Sequence, residues 1–429
     1  MEQEELKRKL SGLWEKTSHK SKELISVFLN YYFDENFIEY QDQDGKINGA
    51  IIGIPYSFGF DEDPLKGIYL IPICSEEGVL KKNIINKLLK ELHKKILNDF
   101  DLMFLVTDSE LLQDYYRTLG FHDSFYIIQE HYTPLHNFHT DFLLSIQESD
   151  ERIRNLKNTL FNDIKVFQKD DFERNNKDSV RLLIDFIKDI ERKKSTEISL
   201  MHESKDLEYL FQEDSMRNLD YFVSLDADKK ITGIAFIDIE EFKRIKVLTP
   251  FVTDSCSFYC LLNEIKRVYK EYSVTINSLE SKCQIQAIIQ QTYAASNPQG
   301  GDLDNTFDTL ETPVNLRNLM KPLGLVKLLK FDNILKYIAR HRRDVEFKLY
   351  IPDDPTPLNF DNKDHVYIVK NGTCDIDSIE NHKQDKSLLK LSVKVISELL
   401  LRRGDASNLI MEAFGIPRLN LMINLLPYN

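Results

Sequence analysis

The N-terminal part of the chain changes from a helical to a strand-like spacing of apolar residues. Two segments carry apolar residues three or four positions apart, which predicts an amphipathic helix in each. These residues are Leu10, Leu13 and Trp14 in the first segment, and Leu24, Val27, Phe28 and Tyr31 in the second. Phe37–Tyr40 and Ile47–Ile54 are typical of strands, and the Asp44-Gly45 pair between them is a strong hairpin signal. The sequence thus predicts two helices followed by a β-hairpin.

The next segment alternates strongly apolar strands with helices. Gly67–Cys74 and Asp101–Thr107 are almost continuously apolar, which indicates strands buried on both faces. Between them, Val79–Leu97 has leucines and isoleucines on one face and lysines on the other, as an amphipathic helix does. A short helix over Leu111–Leu119 and a strand over Phe125–Ile128 follow. This order predicts an α/β unit of about 145 residues.

The hairpin sequence recurs later in the chain. Asp42–Gly49 and Asp226–Gly233 lie 184 positions apart (226 minus 42) and agree at five of eight positions. An apolar helical stretch, Val180–Ile187, precedes the second copy, much as helices precede the first. Such internal similarity predicts a duplicated α/β unit.

The last part of the chain begins with a polar stretch. Ser296–Pro313 contains two Pro and two Gly among mostly polar residues, which predicts a linker or long loop. Beyond it we expect amphipathic helices over Leu316–Leu329 and Ile334–Ile338, then strands over Val345–Ile351 and His365–Val369. The sequence therefore predicts a third unit of α+β type.

Size and charge exclude several classes of protein. A chain of 429 residues is too long for one hydrophobic core, so several domains are expected. The 56 basic and 69 acidic residues give a net charge of −13, which disfavours nucleic-acid binding and favours cationic or amine ligands. No apolar run reaches the ~18 residues that span a bilayer, and the acidic N-terminus lacks the layout of a signal peptide. We expect a cytoplasmic protein with no membrane partner.

The cysteines and histidines give no sign of a metal site. Five cysteines, an odd number without a CxxC pair, are expected to be reduced thiols in a cytoplasm. His93 lies on the lysine-rich face of its predicted helix, so we expect it to be solvated. The prediction is therefore a protein without a metal.

A buried strand that leads into a helix is the feature most suggestive of ligand binding. The first N–H groups of a helix have no intrahelical acceptor and can bind an anion. Lys81 and Lys82 lie in the predicted first turn, where a bound pyrophosphate would stabilise them. Glu76 and Glu77 just upstream could neutralise them instead, and the charges alone leave both interpretations open.

The order of elements, together with Leu105–Phe121, resembles the GNAT superfamily of acyl-CoA-dependent N-acetyltransferases. The segment ends Tyr115-Tyr116-Arg117-Thr118-Leu119-Gly120-Phe121. In that family a Tyr, two polar residues, an apolar residue and Gly-Phe close a helix on the CoA side. The resemblance implies an acetyl-CoA cosubstrate, a primary amine acceptor and direct attack of the amine on the thioester.

The whole arrangement is similar to the Eis (enhanced intracellular survival) type of acetyltransferase. Leu316–Met320 and Arg418–Asn424 resemble segments of its C-terminal domain, which has a sterol carrier protein-like fold. The resemblance implies tandem GNAT-like mixed-sheet domains followed by an α+β domain. Their boundaries would be 1–145 for an acetyl-CoA-binding domain, 146–295 for a degenerate second copy, 296–313 for the linker and 314–429 for the sterol carrier protein-like domain. A small-molecule or peptide amine substrate and a homo-oligomer are also implied.

The resemblance assigns roles to individual residues. Backbone groups of Ile73 and Ser75 would bind the pantetheine arm, and Tyr116 would protonate the departing thiolate. Asn429, through the C-terminal carboxylate, would be the general base. The first turn of the basic helix would hold the pyrophosphate, through Lys81, Lys82, Asn83 and Ile84.

The sequence also departs from the family pattern. Leu80, Asn83 and Ile85 stand where the family has Arg or Gln and two small residues that allow the pyrophosphate to approach the backbone. Asn83 and Ile85 are expected to crowd that approach. The alternative function is therefore a pseudo-acetyltransferase with a degenerate CoA site, acting as a binding or assembly module.

Overall fold

A computed structural model gives the fold as two compact units. Unit 1 comprises Met1–Phe125, Ser195–Tyr209 and Pro322–Asn429, and unit 2 comprises Tyr126–Lys194 and Leu210–Lys321. The structure describes residues 3–17, 21–59, 63–75, 82–107, 109–147, 151–193, 198–217, 220–279, 319–352, 365–401 and 421–422. No helix within these ranges is long and apolar enough to cross a membrane.

The first third of the chain alternates helices and strands as predicted. In chain order the elements are α1 (Gln3–Thr17), α2 (Lys22–Tyr32), a short 3₁₀ helix (Glu35–Phe37), β1 (Ile38–Gln43), β2 (Lys46–Phe58), β3 (Leu65–Ser75), α3 (Lys82–Ile96), β4 (Leu102–Val106), α4 (Glu110–Arg117) and β5 (His122–Tyr132). Asp44 and Gly45 both have positive φ, as the hairpin turn between β1 and β2 requires.

The middle of the chain repeats this alternation. Its elements are α5 (Phe138–Ile146), α6 (Glu151–Asp163), β6 (Lys165–Gln168), α7 (Lys169–Asn175), α8 (Ser179–Lys193), β7 (Ile198–Met201), α9 (Ser204–Arg217), β8 (Asp220–Leu225), β9 (Ile231–Glu240), β10 (Arg244–Val252), α10 (Ser255–Val268) and β11 (Ser273–Leu279). The second copy of the repeated sequence forms a hairpin between β8 and β9. Both copies thus have the predicted local structure.

The C-terminal part is of mixed α and β structure. Its described elements are β12 (Leu319–Leu328), α11 (Phe331–His341), β13 (Phe347–Tyr350), β14 (His365–Lys370), β15 (Thr373–Ser378), a 3₁₀ helix (Ile379–His382), β16 (Leu388–Lys390), α12 (Val393–Leu401) and β17 (Leu421–Met422). Strands β13 to β16 form a sheet in the order β15-β14-β13-β16. The predictions of a helix over Ile334–Ile338 and strands over Val345–Ile351 and His365–Val369 are confirmed.

The sheet of unit 1 is mixed, and β12, which pairs with β4, comes from far along the chain. Its order is β17-β7-β2-β3-β4-β12, and β1 also pairs with β2. Strands β3 and β4 are parallel, with α3 between them in sequence, whereas β12 pairs antiparallel with β4. The predicted helix over Leu316–Leu329 is therefore wrong for its described part. Pro322 lacks an amide donor, and an added Cβ at Gly324 would lie 2.5 Å from the carbonyl oxygen of Leu105, so this segment suits a close strand pair.

Two cores lie on opposite faces of the central strands of unit 1, as the alternation of β3 side chains shows. Ile68 and Leu70 belong to the core under α3 and α4, whereas Tyr69 and Cys74 belong to the core that includes α1, α2 and α11. Strands buried on both faces explain the nearly continuous apolar runs in the sequence.

Asp101 joins three elements at one end of β3 and β4. Its side chain is buried and accepts hydrogen bonds from the Lys66 backbone N–H at 2.8 Å and from the Asn333 side-chain amide at 2.7 Å. Its own carbonyl accepts from the N–H groups of Leu329 and Lys330. The residue thus fixes the start of both strands to the segment that leads into α11.

Unit 2 contains a second mixed sheet, in the order β5-β11-β10-β9-β8-β6. Strands β10 and β11 are parallel and flank α10 in sequence, as β3 and β4 flank α3 in unit 1. The core of unit 2 is formed largely by α5, α10 and the strands beneath them. Among the described strands, each unit therefore contains a parallel strand pair that flanks a helix; unit 1 has a further parallel pair, β17 with β7.

Candidate functional site

The parallel strands of unit 1 separate part-way along their length. Their pairing runs from Gly67 with Leu102 to Tyr69 with Phe104 and goes no further in the described strands. Strand β3 continues to Ser75, while its other edge stays paired with β2. Peptide groups between Leu70 and Cys74 on the edge facing β4 therefore have no strand partner among the described residues. We call this place the β3–β4 opening; its exposed backbone edge can bind an extended, amide-containing ligand.

The residues predicted to bind pantetheine lie on this part of β3. Ile73 is half-buried, packs against the core under α3 and α4, and pairs across the sheet with Ile51. Ser75 is buried and pairs with Gly49. Both residues are thus at the opening, and their roles stay predictions.

Helix α3 begins near the end of β3, and its first turn contains three of the four residues predicted to hold a pyrophosphate. The described helix starts at Lys82, and Asn83 is exposed. Ile84 is half-buried against the core. Leu80 and Lys81 lie outside the described residues. The N–H groups of this first turn have no intrahelical acceptor, whatever the side chains are.

Ile85 does not crowd the start of the helix. Its side chain is fully buried in the core under α3 and α4. The expectation that Ile85 obstructs a ligand there is therefore wrong, because a residue on the core side of a helix points away from its solvent side. Asn83, which is exposed, is the remaining departure in the described first turn.

Gly49 allows the first turn of α3 to lie close to β2. A Cβ at this position would be 2.5 Å from Cγ2 of Ile84, closer than two carbons can approach. Gly49 is the last residue of the first copy of the repeat. Its missing side chain allows α3 to pack close to the sheet.

We expect Gly49→Ala to destabilise the protein by about 1–3 kcal/mol, because Ile84 and the first turn of α3 must move. Ile84→Ala removes the obstructing methyl, so in the double variant the cost should be much less than the sum of the two single costs. Unfolding in urea measures these values. Gly12→Ala is a matched control, because nothing lies within 4 Å of the added Cβ. Additive costs at Gly49 and Ile84 would contradict the close contact.

Helix α4 brings two tyrosines into the core beside the opening. Ser109 caps the helix by accepting a hydrogen bond from the Leu112 N–H, and Gly120, at φ +83°, follows its C-terminal end. Tyr116 is buried, and its ring contacts Phe121 edge-on at 5.7 Å between centroids. Burial raises the pKa of Tyr116 well above its usual range, so the phenol is protonated at neutral pH and can act only as a proton donor.

Tyr115 has a different environment. Its hydroxyl donates to the side-chain oxygen of Asn86 on α3 at 2.7 Å, which joins α3 to α4. Burial raises the pKa of Tyr115 to about 12. Because the Tyr115 hydroxyl is held in this bond, Tyr116 remains the better candidate for a proton donor to a ligand.

Cys74 is the cysteine of β3, but its environment suppresses its reactivity. Burial raises the pKa of its thiol to about 12, so almost no thiolate is present at neutral pH. Cys74, Cys256, Cys260 and Cys374 are free thiols, and Cys283 lies outside the described residues. The protonated state of Cys74 disfavours an acyl-cysteine intermediate.

Unit 2 has the same arrangement of strand, helix and strand, but a carboxylate closes the start of its helix. Asp254 caps α10, and its oxygens accept from the Ser257 N–H at 2.8 Å and from the Thr253 hydroxyl at 2.6 Å. A fixed negative charge at this position repels phosphate. The residues that precede α3, 76–81, lie outside the described part of the chain, so this feature of α10 has no described counterpart in unit 1.

The environment of His93 differs from the prediction that its side chain is solvated. It is buried rather than solvated, with 5% of its surface exposed, and its Nε2 atom has no hydrogen-bond partner within the described structure. Its position borders the apolar stripe of α3, and Lys327 of β12 lies near enough to affect its charge. Burial, aided by Lys327, lowers the pKa of His93 to about 4.

The pKa of His93 has a consequence for stability. The unfolded histidine binds a proton near pH 6.5 while the folded one stays neutral down to about pH 4, so stability falls as pH falls through this window. We expect His93→Leu to gain roughly 3 kcal/mol relative to the native chain between pH 7 and pH 4. Urea unfolding of both proteins at several pH values measures the difference. A difference independent of pH would contradict the buried, neutral state.

The predictions about the general base and about a metal remain to be compared with the described residues. Asn429, the predicted base, lies outside the described residues. Among the residues that the structure describes, no group of three or more His, Cys, Asp or Glu side chains could hold a metal ion.

Comparison with solved structures identifies the fold. A probable N-acyltransferase from Enterococcus faecalis aligns with a TM-score of 0.62 at 13% identity, covering 96% of this chain and 91% of that one. A GCN5-related N-acetyltransferase from Anabaena variabilis gives 0.61 at 12% identity, covering 98% and 97%. Eis1 from Mycobacterium abscessus gives 0.58 at 9% identity, covering 96% and 91%. No protein-family model matches the chain, and no curated protein matches its sequence.

At these identities the likeness establishes the fold alone. The predicted mixed α/β architecture with tandem GNAT-like domains is confirmed, and the resemblance seen around Tyr116 identified the fold correctly. The sterol carrier protein-like nature of the C-terminal part and the predicted domain boundaries stay predictions.

Proposed function

We propose that the protein is an N-acetyltransferase that transfers an acetyl group from acetyl-CoA to a primary amine by direct attack. The single observation that carries this proposal is the β3–β4 opening, which lies near the start of α3 and whose strands share a core cluster with the buried Tyr116. An extended thioester ligand needs such an edge for its amide groups, a helix N-terminus for its phosphates and a proton donor for its thiolate.

The chain would bind the cosubstrate along the opening. Peptide groups around Ile73 and Ser75 would bind the pantetheine arm. The pyrophosphate would meet the first-turn N–H groups of Lys82, Asn83 and Ile84, with the ammonium groups of Lys81 and Lys82 as added charge. Because Ile85 is buried, only Asn83 must adjust its side chain to admit phosphate oxygens.

The reaction then needs two proton transfers. The neutral amine nitrogen forms a bond to the acetyl carbonyl carbon as the carbon–sulfur bond breaks, and Tyr116 gives its proton to the departing sulfur. A base takes the proton that the amine loses, and the C-terminal carboxylate of Asn429 is proposed for this role. Cys74 takes no part, because its thiol stays protonated.

The proposed base can be tested by moving the carboxylate. Adding one residue after Asn429 shifts the carboxylate by about 3.5 Å, so we expect turnover to be lost while acetyl-CoA binding is kept. Steady-state rates and calorimetry on the extended chain separate these effects. Full activity of the extended chain would exclude Asn429 as the base.

The finer assignment is to the Eis type, with a sterol carrier protein-like C-terminal domain, a cytoplasmic location and a homo-oligomeric state. The four-stranded sheet of β13 to β16 with α11 and α12 is compatible with an α+β domain of this kind. The net charge of −13 favours a cationic acceptor.

A non-catalytic binding module is the second candidate. The observation that favours it is the first turn of α3, where the exposed Asn83 carries a side chain at a position at which the family has a glycine. Incubation with acetyl-CoA and a panel of primary amines, followed by mass spectrometry for a mass gain of one acetyl group, distinguishes the two. An acetylated amine that needs the protein supports the transferase. Acetyl-CoA binding without any acetylated product supports the module.

A further inference from the structure

Unit 2 contains a cavity that the proposed reaction does not use. Its volume is about 910 Å³, which is within the range of small-molecule sites. The lining comes from the end of α6, strand β6, helices α7 and α8, and the β8–β9 hairpin. All of these elements belong to unit 2.

Part of the cavity lining is apolar and includes residues of α8. The buried side of this helix includes Leu183 and Ile187, which are fully enclosed. Leu182 and Phe186, four residues apart and therefore neighbours on the helix, line the cavity instead, and Leu182 is 44% exposed. Phe167 and Phe172 continue this apolar surface. Leu182 and Phe186 thus extend the apolar arc of α8 beyond its buried side and into the cavity lining.

The lining also contains charged and polar residues. Lys165, Lys229 and Lys230 are exposed at its edge, with Asp163 and Asp226 as the acidic residues and Asn162, Asn175 and Asn176 as neutral polar ones. The Asp226 carboxylate accepts a hydrogen bond from the Lys230 backbone N–H at 2.8 Å, which does not involve the Lys230 ammonium group. The lining thus contains three lysines and two aspartates.

Lys229 is held in an unfavourable backbone conformation. Its φ of +63° is in the left-handed region, which favours glycine. The equivalent residue of the first hairpin, 184 positions earlier, is Gly45, with φ +80°. The second copy thus has a strained lysine where the first has a glycine, and strain of this kind is found at functional sites.

We propose that this cavity binds an anionic amphiphile of the fatty-acid class, with its carboxylate at the three lysines and its chain along the phenylalanines. The rings of Phe167, Phe172 and Phe186 offer no hydrogen-bonding groups, so they favour a hydrocarbon chain over a polar ring. A hydrocarbon chain with one anionic end matches the combination of these rings with the three lysines.

Calorimetry with dodecanoate tests the proposal on the full chain. We expect binding below about 1 mM, given the size of the ligand, and at least tenfold weaker binding of dodecyltrimethylammonium, which has the same chain and the opposite charge. AMP tests the alternative that the lysines serve a nucleotide. AMP binding without dodecanoate binding would overturn the proposal, as would no heat from dodecanoate at 1 mM.

Substitutions of the lining lysines test whether dodecanoate binds in this cavity. Lys230→Gln should weaken dodecanoate binding about fivefold, as for loss of one partly exposed charge pair. Lys46→Gln, at the equivalent place in the first hairpin, is the matched control and should leave affinity unchanged. Lys229→Gly should weaken binding while raising Tm, because it removes both a charge and backbone strain. Unchanged affinity in Lys229→Gly and Lys230→Gln would overturn the assignment to this cavity, whatever the fate of acetyl transfer.

Discussion

Replacing Tyr116 by Phe is expected to lower kcat about 100-fold or more, with little change in the affinity for acetyl-CoA. A positioned general acid typically contributes 10²–10⁴-fold to the rate. The phenol at this position is protonated at neutral pH, as tyrosine ordinarily is, and burial raises its pKa further. The loss should therefore fall on the step in which the thiolate departs, which lowers kcat rather than binding.

The neighbouring tyrosine provides the control. Tyr115→Phe removes the 2.7 Å hydrogen bond to Asn86, so we expect a loss of about 1 kcal/mol in the free energy of unfolding and a kcat close to native. Steady-state kinetics and urea unfolding of both variants make the comparison. An unchanged kcat in Tyr116→Phe, or an equal loss in both variants, would remove Tyr116 from the mechanism.

Asp101→Ala is expected to lower the free energy of unfolding by about 3 kcal/mol. The change leaves the Lys66 N–H and the Asn333 amide without their acceptor in a buried place, and each such loss costs about 1–3 kcal/mol. Because Asp101 fixes the paired ends of β3 and β4, the variant should also weaken acetyl-CoA binding at the β3–β4 opening.

Asp99 offers a matched control, because it is an exposed aspartate two residues away. Asp99→Ala should change stability by no more than about 0.5 kcal/mol. Urea unfolding with tryptophan fluorescence can follow both variants, since Trp14 is buried in unit 1. Equal stability of the Asp101 and Asp99 variants would contradict the role given to Asp101.

The sequence predicts well those features whose causes are local. The lysine-rich helix, the two apolar strands around it and the Asp44-Gly45 turn follow from periodicity and turn chemistry, and all three are present. The order of elements together with Leu105–Phe121 suggests the fold. The repeated segment forms a hairpin in both copies, and Asp42 and Asp226 each accept a hydrogen bond from a backbone N–H of their turn.

Periodicity and turn chemistry do not predict features that depend on pairing between strands far apart in the sequence. Strand β12 has apolar residues that fit a helix as well as a strand, and only its pairing with β4 decides between them. The same strand brings Lys327 close to His93, so the burial of His93 could not be foreseen either. Pro322 and Gly324 were the available signals against a helix, since both disfavour a helix interior.

Whether the β3–β4 opening and the first turn of α3 bind acetyl-CoA is the central claim, and calorimetric titration of acetyl-CoA into the purified protein tests it most directly. We predict a Kd in the micromolar range, about −8 kcal/mol, with desulfo-CoA binding similarly and Gly49→Ala binding more weakly. No binding at millimolar acetyl-CoA to the folded native chain would contradict the account, because Asn83 would then close the site.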